Sequence, residues 1–222
     1  MSLENFSVEL IEDKKILKPW LLKKHYAKRT PPIKYAFGLY DGSSVLCGVV
    51  TYGPPSSPQV GRGFLGEENR TKVIELNRLC INSNSPPNSA SFLVGKSLKS
   101  LPKCCIVSYA DEFKNHKGYI YQATNFLYCG AVKSHDNEYF YNGKWTHARS
   151  MVAKGITAPG KFAKENNILT RPPYPKHRYV FFTDKKLKKY LRYEVLPYPK
   201  GETKRYKCPD IIEGKVRNRR NS

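Results

Sequence analysis

The stretch V-I-E-L-N-R-L-C-I, from Val73 to Ile81, decides the fold that this sequence predicts. It is short and rich in β-forming residues, which is typical of a strand, and the polar loop N-S-N-S-P-P-N-S follows it. Phe92, Leu93 and Leu98 then recur at helical spacing, and C-C-I-V-S-Y-A-D, from Cys104 to Asp111, has the apolar run of a buried strand. A right-handed crossover makes two such strands parallel neighbours, with both carboxyl ends at the sheet edge where open α/β sheets bind ligands.

Polar side chains interrupt both of these apolar strands. Such groups destabilise a buried strand unless they are paired or take part in a site. They are Glu75, Asn77 and Arg78 on the first strand and Ser108, Tyr109 and Asp111 at the end of the second. A structural ion pair between Glu75 and Arg78 and a functional site are both compatible with this pattern.

Further elements follow on both sides of this core. The patterns predict, in chain order, a short amphipathic helix from Pro19 that ends at His25 and Tyr26, a hairpin with its turn at Asp41-Gly42, a long loop over Gly53–Gly66, and a helix within His116–Gly130 that stops near Asn125 or Gly130. They then predict a second hairpin at Asn142-Gly143 that closes the sheet, a strand over Lys176–Phe182 and a basic helix over Lys185–Tyr193. The predicted fold class is α/β (α+β), with a mixed central sheet, flanking helices and a basic C-terminal extension.

The charge balance is the strongest signal in the composition. Thirty-nine Lys and Arg oppose 18 Asp and Glu among 222 residues, which gives a net charge of +21. Residues 176–222 hold 15 Lys and Arg against five Asp and Glu, a net of 15 − 5 = +10, interleaved with Tyr and Phe. Such an excess favours a polyanionic partner, above all nucleic acid, over a basic surface that serves only solubility.

The composition also argues against several classes of protein. Hydrophobic residues make up 40% of the chain, so it is globular, and no apolar run approaches the ~18 residues of a membrane helix. The first residues include acidic ones and lack the basic segment of a signal peptide, so we expect a cytoplasmic protein. Cys47, Cys80, Cys104 and Cys105 lie in apolar runs and no C-x-x-C pattern occurs, which indicates reduced core cysteines.

The order of hairpin, strand, polar loop, helix, strand, helix and hairpin resembles the GCN5-related N-acetyltransferase fold. More closely, the chain is similar to the Mom family of phage DNA-modification proteins. The similarity lies in P-W-L-L-K-K-H-Y-A-K-R (19–29), Y-A-F-G-L-Y (35–40), V-I-E-L-N-R-L (73–79), S-Y-A-D (108–111), H-K-G-Y-I-Y-Q-A-T-N-F-L-Y (116–128), K-H-R-Y (176–179) and L-P-Y-P-K-G (196–201). It covers nearly the whole chain to Tyr206 and implies an acetyltransferase-like catalytic domain over residues 1–182, followed by a basic helix and tail over residues 183–222.

The resemblance also implies an activity. Mom proteins convert adenine in DNA to N6-carbamoylmethyl (acetamido) adenine, which protects phage DNA from host restriction enzymes. The implied protein is thus a DNA adenine-modifying transferase in the cytoplasm of an infected or lysogenic bacterium, with DNA as its partner and the adenine flipped out of the duplex. The implied cofactors are acetyl-CoA or another two-carbon donor, and iron. The number of subunits stays open, with a homodimer among the alternatives.

Roles for individual residues follow from the resemblance and from their chemistry. Asp111 is the candidate base near adenine N6, while Ser108 and Tyr109 would hold the donor or polarise its carbonyl. His25 and Tyr26 join them as catalytic candidates and, with Asp111, as candidate iron ligands. The candidate cofactor-binding residues are Arg78, Asn77, Ser89, Ser91, Tyr121 and Asn125, of which Arg78 would anchor an anionic group. The candidate DNA-binding residues are Lys28, Arg29, Arg62, Lys185, Lys186, Lys188, Lys189 and Arg192.

Two features depart from an ordinary acetyltransferase. The fold family binds the coenzyme A pyrophosphate with a Gln/Arg-x-x-Gly-x-Gly/Ala loop, whereas Asn82–Ser89 has two prolines and no glycine. Free N–H groups at the helix start, from Ser89 to Ser91, would still attract phosphate. Acyl transfer also leaves an amide on N6, whereas a carbamoylmethyl group is attached through CH₂, so another nitrogen-bearing two-carbon donor or a redox step is needed.

Two other classes of function stay open. One is an N-acyltransferase that acts on protein or RNA, because a fold does not fix a substrate. The other is a non-catalytic basic module, which would bind DNA in a salt-sensitive way and leave it unchanged.

Overall fold

The computed structural model of the chain describes residues 3–112, 115–132 and 137–201. Its main element is a seven-stranded sheet with the strand order β1-β2-β3-β4-β5-β10-β6. These strands are β1 (Ser7–Leu10), β2 (Tyr35–Tyr40), β3 (Leu46–Gly53), β4 (Val73–Ile81), β5 (Cys105–Asp111), β6 (Leu127–Val132) and β10 (Lys176–Phe182). The β4–β5 pair is parallel and the other pairs are antiparallel. The predicted mixed fold class is therefore confirmed, and so are the strand at Val73–Ile81 and its parallel neighbour.

Helices cover both faces of this sheet, as the predicted α/β class requires. They are α1 (Leu17–Pro19), which continues as a π-helical turn (Trp20–Lys24), α2 (Pro58–Leu65), α3 (Ser89–Lys99), α4 (Tyr119–Ala123) and three 3₁₀ helices (Lys14–Ile16, Arg70–Lys72 and Lys185–Tyr190). The crossover helix α3 buries Leu93, Val94 and Leu98 on one face, where α4 also lies. On the opposite face Trp20 and Leu21 pack at one end, and Phe64 of α2 packs with Leu187 at the other.

The strands alternate between these two apolar layers, because successive side chains of a strand point to opposite faces. In β5, Ile106 packs under α3, whereas Cys105 and Val107 pack under α2. A strand that is buried on both faces reads as a continuous apolar run, which is why the sequence of β5 predicts its position so well.

A second, smaller sheet is formed by strands that lie between β6 and β10 in the chain. Its order is β8-β7-β9, from β7 (Glu138–Tyr141), β8 (Lys144–His147) and β9 (Thr170–Arg171), and α5 (Ala148–Val152) and α6 (Pro159–Glu165) accompany it. The predicted hairpin turn at Asn142-Gly143 is present, and both residues have positive φ. The prediction that this hairpin closes the main sheet is wrong, because β10 takes the place beside β6.

Two further predictions concern α2 and α4, and the first of them is wrong. The predicted loop over Gly53–Gly66 contains α2, in which Pro58 occupies the first turn and Phe64 and Leu65 are buried. The predicted helix within His116–Gly130 is present as Tyr119–Ala123 and stops near Asn125, the earlier of its two predicted ends, because Asn125 has a left-handed φ of 60° and the next residues enter β6.

The C-terminal extension begins as predicted but with a tighter helix. Lys185–Tyr190 is 3₁₀-helical, and Leu187 anchors it in the core beside Phe64. The basic tail predicted beyond it lies outside the described residues from position 202 onward. The boundary after residue 182 stays a prediction.

Two compositional expectations concern membranes and cysteines. In the part of the chain that the structure describes, no helix is both long and apolar enough to cross a membrane. The five cysteines in that part are free, and Cys80, Cys104, Cys105 and Cys129 are buried.

Candidate active site

Strands β4 and β5 part from each other partway along their length. Their ladder joins Val73–Glu75 to Cys105–Val107 and then stops. Beyond it β4 stays paired with β3 as far as Ile81, while β5 stays paired with β10 as far as Asp111. The carboxyl halves of the two strands therefore diverge, and we call the gap between them the strand cleft. It opens at the sheet edge where the sequence predicts a site.

Ser108 lies where the strand cleft begins. Its hydroxyl donates a hydrogen bond to the carbonyl oxygen of Leu76 at 2.9 Å, in place of the ladder bond that the parting strands lose. The Tyr121 phenol, which α4 supplies, is hydrogen-bonded to Ser108. Burial, with a smaller effect of the Glu75 charge, raises the pKa of Tyr121, although the bond to Ser108 opposes the rise. The phenol therefore stays protonated and can donate a hydrogen bond.

Glu75 brings a carboxyl group to the same place. Its Oε2 accepts a hydrogen bond from the Ser56 N–H at 3.2 Å, in the segment that leads from β3 to α2. Burial raises the pKa of Glu75, against the opposing effects of this N–H and of the charges on Arg78, Lys176 and Arg29. Glu75 and Arg78 make no direct ion pair with each other in the described structure. The structural reading of these two residues as an ion pair is thus not supported.

The Arg78 guanidinium has a hydrogen-bond partner on one nitrogen and a buried nitrogen without one in the described part of the chain. Its Nη1 donates to the carbonyl oxygen of Asn77, whereas its Nε is buried without a hydrogen-bond partner among the described residues. Burial, followed by the charge of Arg29, lowers the pKa of Arg78. A buried donor without a partner is unfavourable, so an anionic group that reaches Arg78 would relieve it.

His25 and Tyr26 follow the π-helical turn and lie beside the cleft. Their rings stack at 4.3 Å, and the Tyr26 ring meets the His116 ring edge-on at 6.3 Å. Burial, then the charges of Arg78, Arg29 and His116, lowers the pKa of His25 to about 3. His25 Nδ1 accepts the Ala27 N–H at 3.0 Å, so the neutral ring carries its hydrogen on Nε2.

Asp111 is the last residue of β5, and its charge acts on the hydroxyl of Tyr26. Burial of the Tyr26 hydroxyl, and then the Asp111 charge, raises the pKa of Tyr26. The backbone carbonyl of Asp111 accepts the His116 N–H at 3.2 Å, which holds the following segment against the strand end. The structure thus brings the predicted catalytic residues Asp111, Ser108, His25 and Tyr26 together with the predicted donor-binding residues Arg78 and Tyr121.

Tyr109 and Asn77 take other positions. Tyr109 points to the face that α2 covers, where it packs with the cluster around Phe64, and burial followed by the Glu75 charge raises its pKa. Asn77 uses both ends of its amide, because Oδ1 accepts from the Thr51 hydroxyl at 2.6 Å and Nδ2 donates to the Pro32 carbonyl at 3.1 Å. Its visible role is to join β4 to β3.

The remaining predicted donor-binding residues lie on α3 and α4. The hydroxyls of Ser89 and Ser91 donate to the carbonyl oxygens of Pro86 and Asn88, at 2.7 and 3.0 Å. Asn88 precedes α3 but makes no side-chain cap, so the first turn of the helix has no capping side chain. Asn125 is exposed where α4 ends.

The predicted DNA-binding residues lie in three places. Arg29 acts on the pKa of His25, Glu75 and Arg78 and therefore lies at the cleft, with exposed Lys28 next to it in sequence. Arg62 lies on α2 and pairs with Glu67. The exposed side chains of the C-terminal 3₁₀ helix and the residues after it are Lys185, Lys186, Lys188, Lys189 and Arg192.

A metal centre finds no support in this arrangement. The described residues contain no group of three or more His, Cys, Asp or Glu side chains that could hold a metal ion. The Nδ1 atom of His25 is already engaged by the Ala27 N–H. The predicted iron site on His25, Tyr26 and Asp111 is therefore not supported.

Two residues at the cleft were not among the predicted catalytic or donor-binding residues. Glu75 was recognised only as a polar group in an apolar strand, and its spacing from Arg78 suggested an ion pair. Arg29 was assigned to DNA binding. The sequence signal that identifies Glu75 is a carboxylate in a strand whose neighbours are almost all buried.

Comparison with known proteins gives matches along most of the chain. The model of the Mom protein family matches residues 5–200. The methylcarbamoylase Mom of Escherichia phage Mu is 30% identical over 193 residues, which cover 80% of this chain and 77% of that protein.

Solved structures with a similar arrangement are acetyltransferases of low identity. A putative acetyltransferase from Salmonella typhimurium, solved with its cofactor acetyl-CoA, is 8% identical, with a TM-score of 0.48 over 82% of this chain and 96% of its own. A mutant spermidine N-acetyltransferase from Vibrio cholerae is 10% identical, with a TM-score of 0.46 over 82% of this chain and 96% of its own.

The sequence matches over most of the chain define an enzyme of the transferase class. The chain belongs to the Mom protein family.

Proposed function

We propose that this enzyme transfers a carbamoylmethyl group to N6 of adenine in DNA and so protects phage DNA from restriction. The observation that carries the proposal is the strand cleft, where Asp111, Glu75, Arg78 and Tyr121 meet in a chain that belongs to the Mom family. A net charge of +21 supports DNA as the substrate, because a phosphate backbone neutralises such an excess.

The target nitrogen must leave the base stack before it can react. Adenine N6 is paired inside the duplex. The cleft lies at the carboxyl ends of β4 and β5, and not on a helix or ribbon that could enter a groove of DNA. Flipping a base out of the duplex costs a few kcal/mol, which aromatic stacking and phosphate contacts can offset. Tyr26, of which 37% is exposed, presents a ring beside the cleft against which a flipped base can stack.

The transfer itself is a substitution at a CH₂ group. The N6–CH₂ bond forms while the bond between the donor CH₂ and its leaving group breaks, and the leaving group takes the electron pair. The N6 proton passes to a carboxylate, for which we propose Asp111. Tyr121 stays protonated and supplies a hydrogen bond, while Arg78 holds an anionic group of the donor or the DNA.

Acetyl-CoA fits the site only in part. The uncapped first turn of α3 offers N–H groups to a phosphate, and it lies at the same sheet edge as the cleft. The loop before it, in contrast, contains Pro86 and Pro87 and no glycine, and the Lys24 ammonium holds Asn82 of this loop. Bound coenzyme A would supply an activated two-carbon group, but an acetyl group lacks the amide nitrogen of the product. We therefore propose a donor that carries both a phosphate and a carbamoylmethyl group.

The proposal is tested by mass spectrometry of modified DNA. Expression in a bacterium, digestion of its DNA to nucleosides and mass analysis should give a deoxyadenosine that is heavier by one carbamoylmethyl group. Asp111→Asn should abolish this product. Asp184→Asn is the matched control, because Asp184 caps the C-terminal 3₁₀ helix through the Lys186 N–H at 3.0 Å and asparagine caps equally well.

The other outcomes of this experiment are equally informative. If Asp111→Asn keeps the full rate and Glu75→Gln removes it, the proton acceptor is Glu75, whose raised pKa suits that role. Unmodified DNA together with acyl transfer to peptides or RNA would identify an N-acyltransferase. Unmodified DNA together with salt-sensitive DNA binding would identify a binding module.

A further inference from the structure

The small sheet is attached next to the candidate base. The residues of the small sheet and its helices fall in the chain between Val132 of β6 and Lys176 of β10, and these two residues are register partners. Lys176 is also the register partner of Asp111. The Glu112 N–H donates to the Pro175 carbonyl at 3.2 Å, which fixes the returning chain to the end of β5. The chain therefore returns from the small sheet to the main sheet at the end of β5, where the strand cleft opens.

One face of the small sheet is covered by its own helices. Tyr139 of β7 is buried with Met151 of α5 and Ala163 of α6, and Tyr141 packs against the same cluster. This cluster is separate from the three apolar clusters of the main sheet. The small sheet therefore has an inner face with its own core.

The outer face carries aromatic rings that belong to none of these clusters. Phe140 and Trp145 are cross-strand partners, and their rings meet edge-on with centroids 5.5 Å apart. Phe140 is 42% exposed, although burial of such a ring is favourable. The Arg171 guanidinium lies 4.1 Å from the Trp145 ring and 5.0 Å from the Tyr174 ring. We call this surface the aromatic face, with Phe140 and Trp145 at its centre and Tyr174 at the end nearer Lys176.

The small sheet and its two helices are positively charged as a whole. Residues 137–171 hold six Lys and Arg against two Glu, a net of 6 − 2 = +4. One of the two glutamates, Glu138, pairs with Arg171 at 2.8 Å. Exposed rings with a guanidinium beside them, as Arg171 provides here, are a combination that binds unpaired nucleotides, because rings stack on bases while cations contact phosphates.

We propose that the aromatic face binds unpaired bases of the DNA strand next to the adenine that is modified. The inference rests on the proposed function, because it takes DNA as the substrate. Flipping one adenine leaves neighbouring bases unstacked, and Phe140 and Trp145 supply ring surface for them close to where the flipped base enters the cleft. The aromatic face thus stabilises the opened DNA.

The test is a binding titration with short labelled DNA. By fluorescence anisotropy, wild-type protein, Phe140→Ala and Trp145→Ala are compared on an opened duplex, in which an adenine and one base on each side of it are unpaired, and on the same duplex fully paired. Each variant should weaken binding to the opened duplex about 5- to 100-fold, the loss expected for one stacked base, and should leave the salt dependence unchanged. Leu169→Ala is the control, because Leu169 lies in the same module, is 67% exposed and has no ring; it should bind like the wild type.

A second measurement needs no alanine variant. The chain has two tryptophans, and Trp20 is only 2% exposed in the main core. In a Trp20→Phe protein, Trp145 fluorescence should be quenched when the opened duplex binds, because stacking on a base quenches the indole. Unchanged fluorescence at saturating DNA would overturn the proposal.

The two proposals fail in different ways. If the wild type neither binds nor modifies DNA, the proposed function fails and the aromatic face with it. If the wild type modifies DNA while Phe140→Ala and Trp145→Ala bind the opened duplex as tightly as it does, only the aromatic face fails. If the same variants change the sedimentation of the DNA-free protein and not its DNA affinity, the aromatic face joins two copies of the chain, and the proposal is wrong.

Discussion

His25 should make the folded protein sensitive to acid. The pKa of its imidazole is lowered from 6.5 to about 3 in the folded chain. Between these values the unfolded chain binds more protons than the folded one, so the free energy of unfolding decreases as the pH decreases. The decrease is about 1.4 kcal/mol for each pH unit below 6.5, hence about 2 kcal/mol between pH 8 and pH 5. The physical cause is burial beside Arg78 and Arg29, together with the Ala27 N–H that occupies Nδ1.

Urea unfolding at pH 5, 6, 7 and 8 measures this effect directly. His25→Gln should lose about 2 kcal/mol less than the wild type between pH 8 and pH 5. His147→Gln is the matched control, because His147 Nδ1 accepts the Arg149 N–H at 3.2 Å in the same local geometry but is half-exposed on the small sheet. It should keep the wild-type pH dependence. Parallel loss of stability in the wild type and His25→Gln would refute the assignment of the acid sensitivity to His25.

Two other predictions address packing and DNA binding. Gly118→Ala should lower the free energy of unfolding by about 2–4 kcal/mol, because its φ is +76° and the new Cβ would overlap the Tyr179 ring. Gly155→Ala is the control, because Gly155 has a φ of +90° and no atom lies within 4 Å of the position of a Cβ. It should lower the free energy of unfolding by about 1 kcal/mol in the same urea assay. The double replacement of Lys188 and Lys189 by Gln should reduce by about 2 the slope of the logarithm of the DNA-binding constant against the logarithm of the salt concentration. Lys99→Gln, at the end of α3, should leave this slope unchanged. Equal slopes for the double variant and the wild type would show that the C-terminal 3₁₀ helix does not contact DNA.

The parts of the fold that are decided locally could be predicted from the sequence. β4, α3 and β5 have clear apolar patterns, and the turn at Asp41-Gly42 forms because the Asp41 carboxylate accepts the N–H groups of Ser43 and Val45. The choice of neighbours within the sheet could not be predicted in the same way. The hairpin signal at Asn142-Gly143 is local and correct, but whether its strands or β10 pair with β6 is decided by tertiary packing.

Glycine was the main source of error in the helices. The segment Gly53–Gly66 was predicted as a loop because it is rich in Gly and Pro. In the structure Gly61 allows the backbone of α2 to approach Arg70, since a Cβ there would lie 2.5 Å from the Arg70 carbonyl oxygen. That requirement for close packing is invisible in the sequence, because it depends on an element that follows α2.

In the candidate site, too, the local features could be predicted from the sequence and the tertiary contacts could not. The carboxyl ends of β4 and β5 and their polar residues could be predicted, because the direction of a crossover follows from its handedness. The partners of these residues could not. Asn77 turned out to join β3 and β4, and Glu75 to contact Ser56 instead of Arg78. Both contacts come from segments distant in sequence, whose approach depends on the packed fold.

The position of β10 has a consequence for how the protein is made. β10 is the last strand among the described residues, yet it lies between β5 and β6, which are synthesised long before it. Until Phe182 has left the ribosome, the facing edges of β5 and β6 have no strand to pair with, and the open edge of apolar β5 is a surface prone to aggregation. The strand that carries Asp111 is fixed on both sides only when the insertion of β10 completes the sheet. A nascent chain that stops before Lys176 therefore lacks the strand that supports Asp111 on one side.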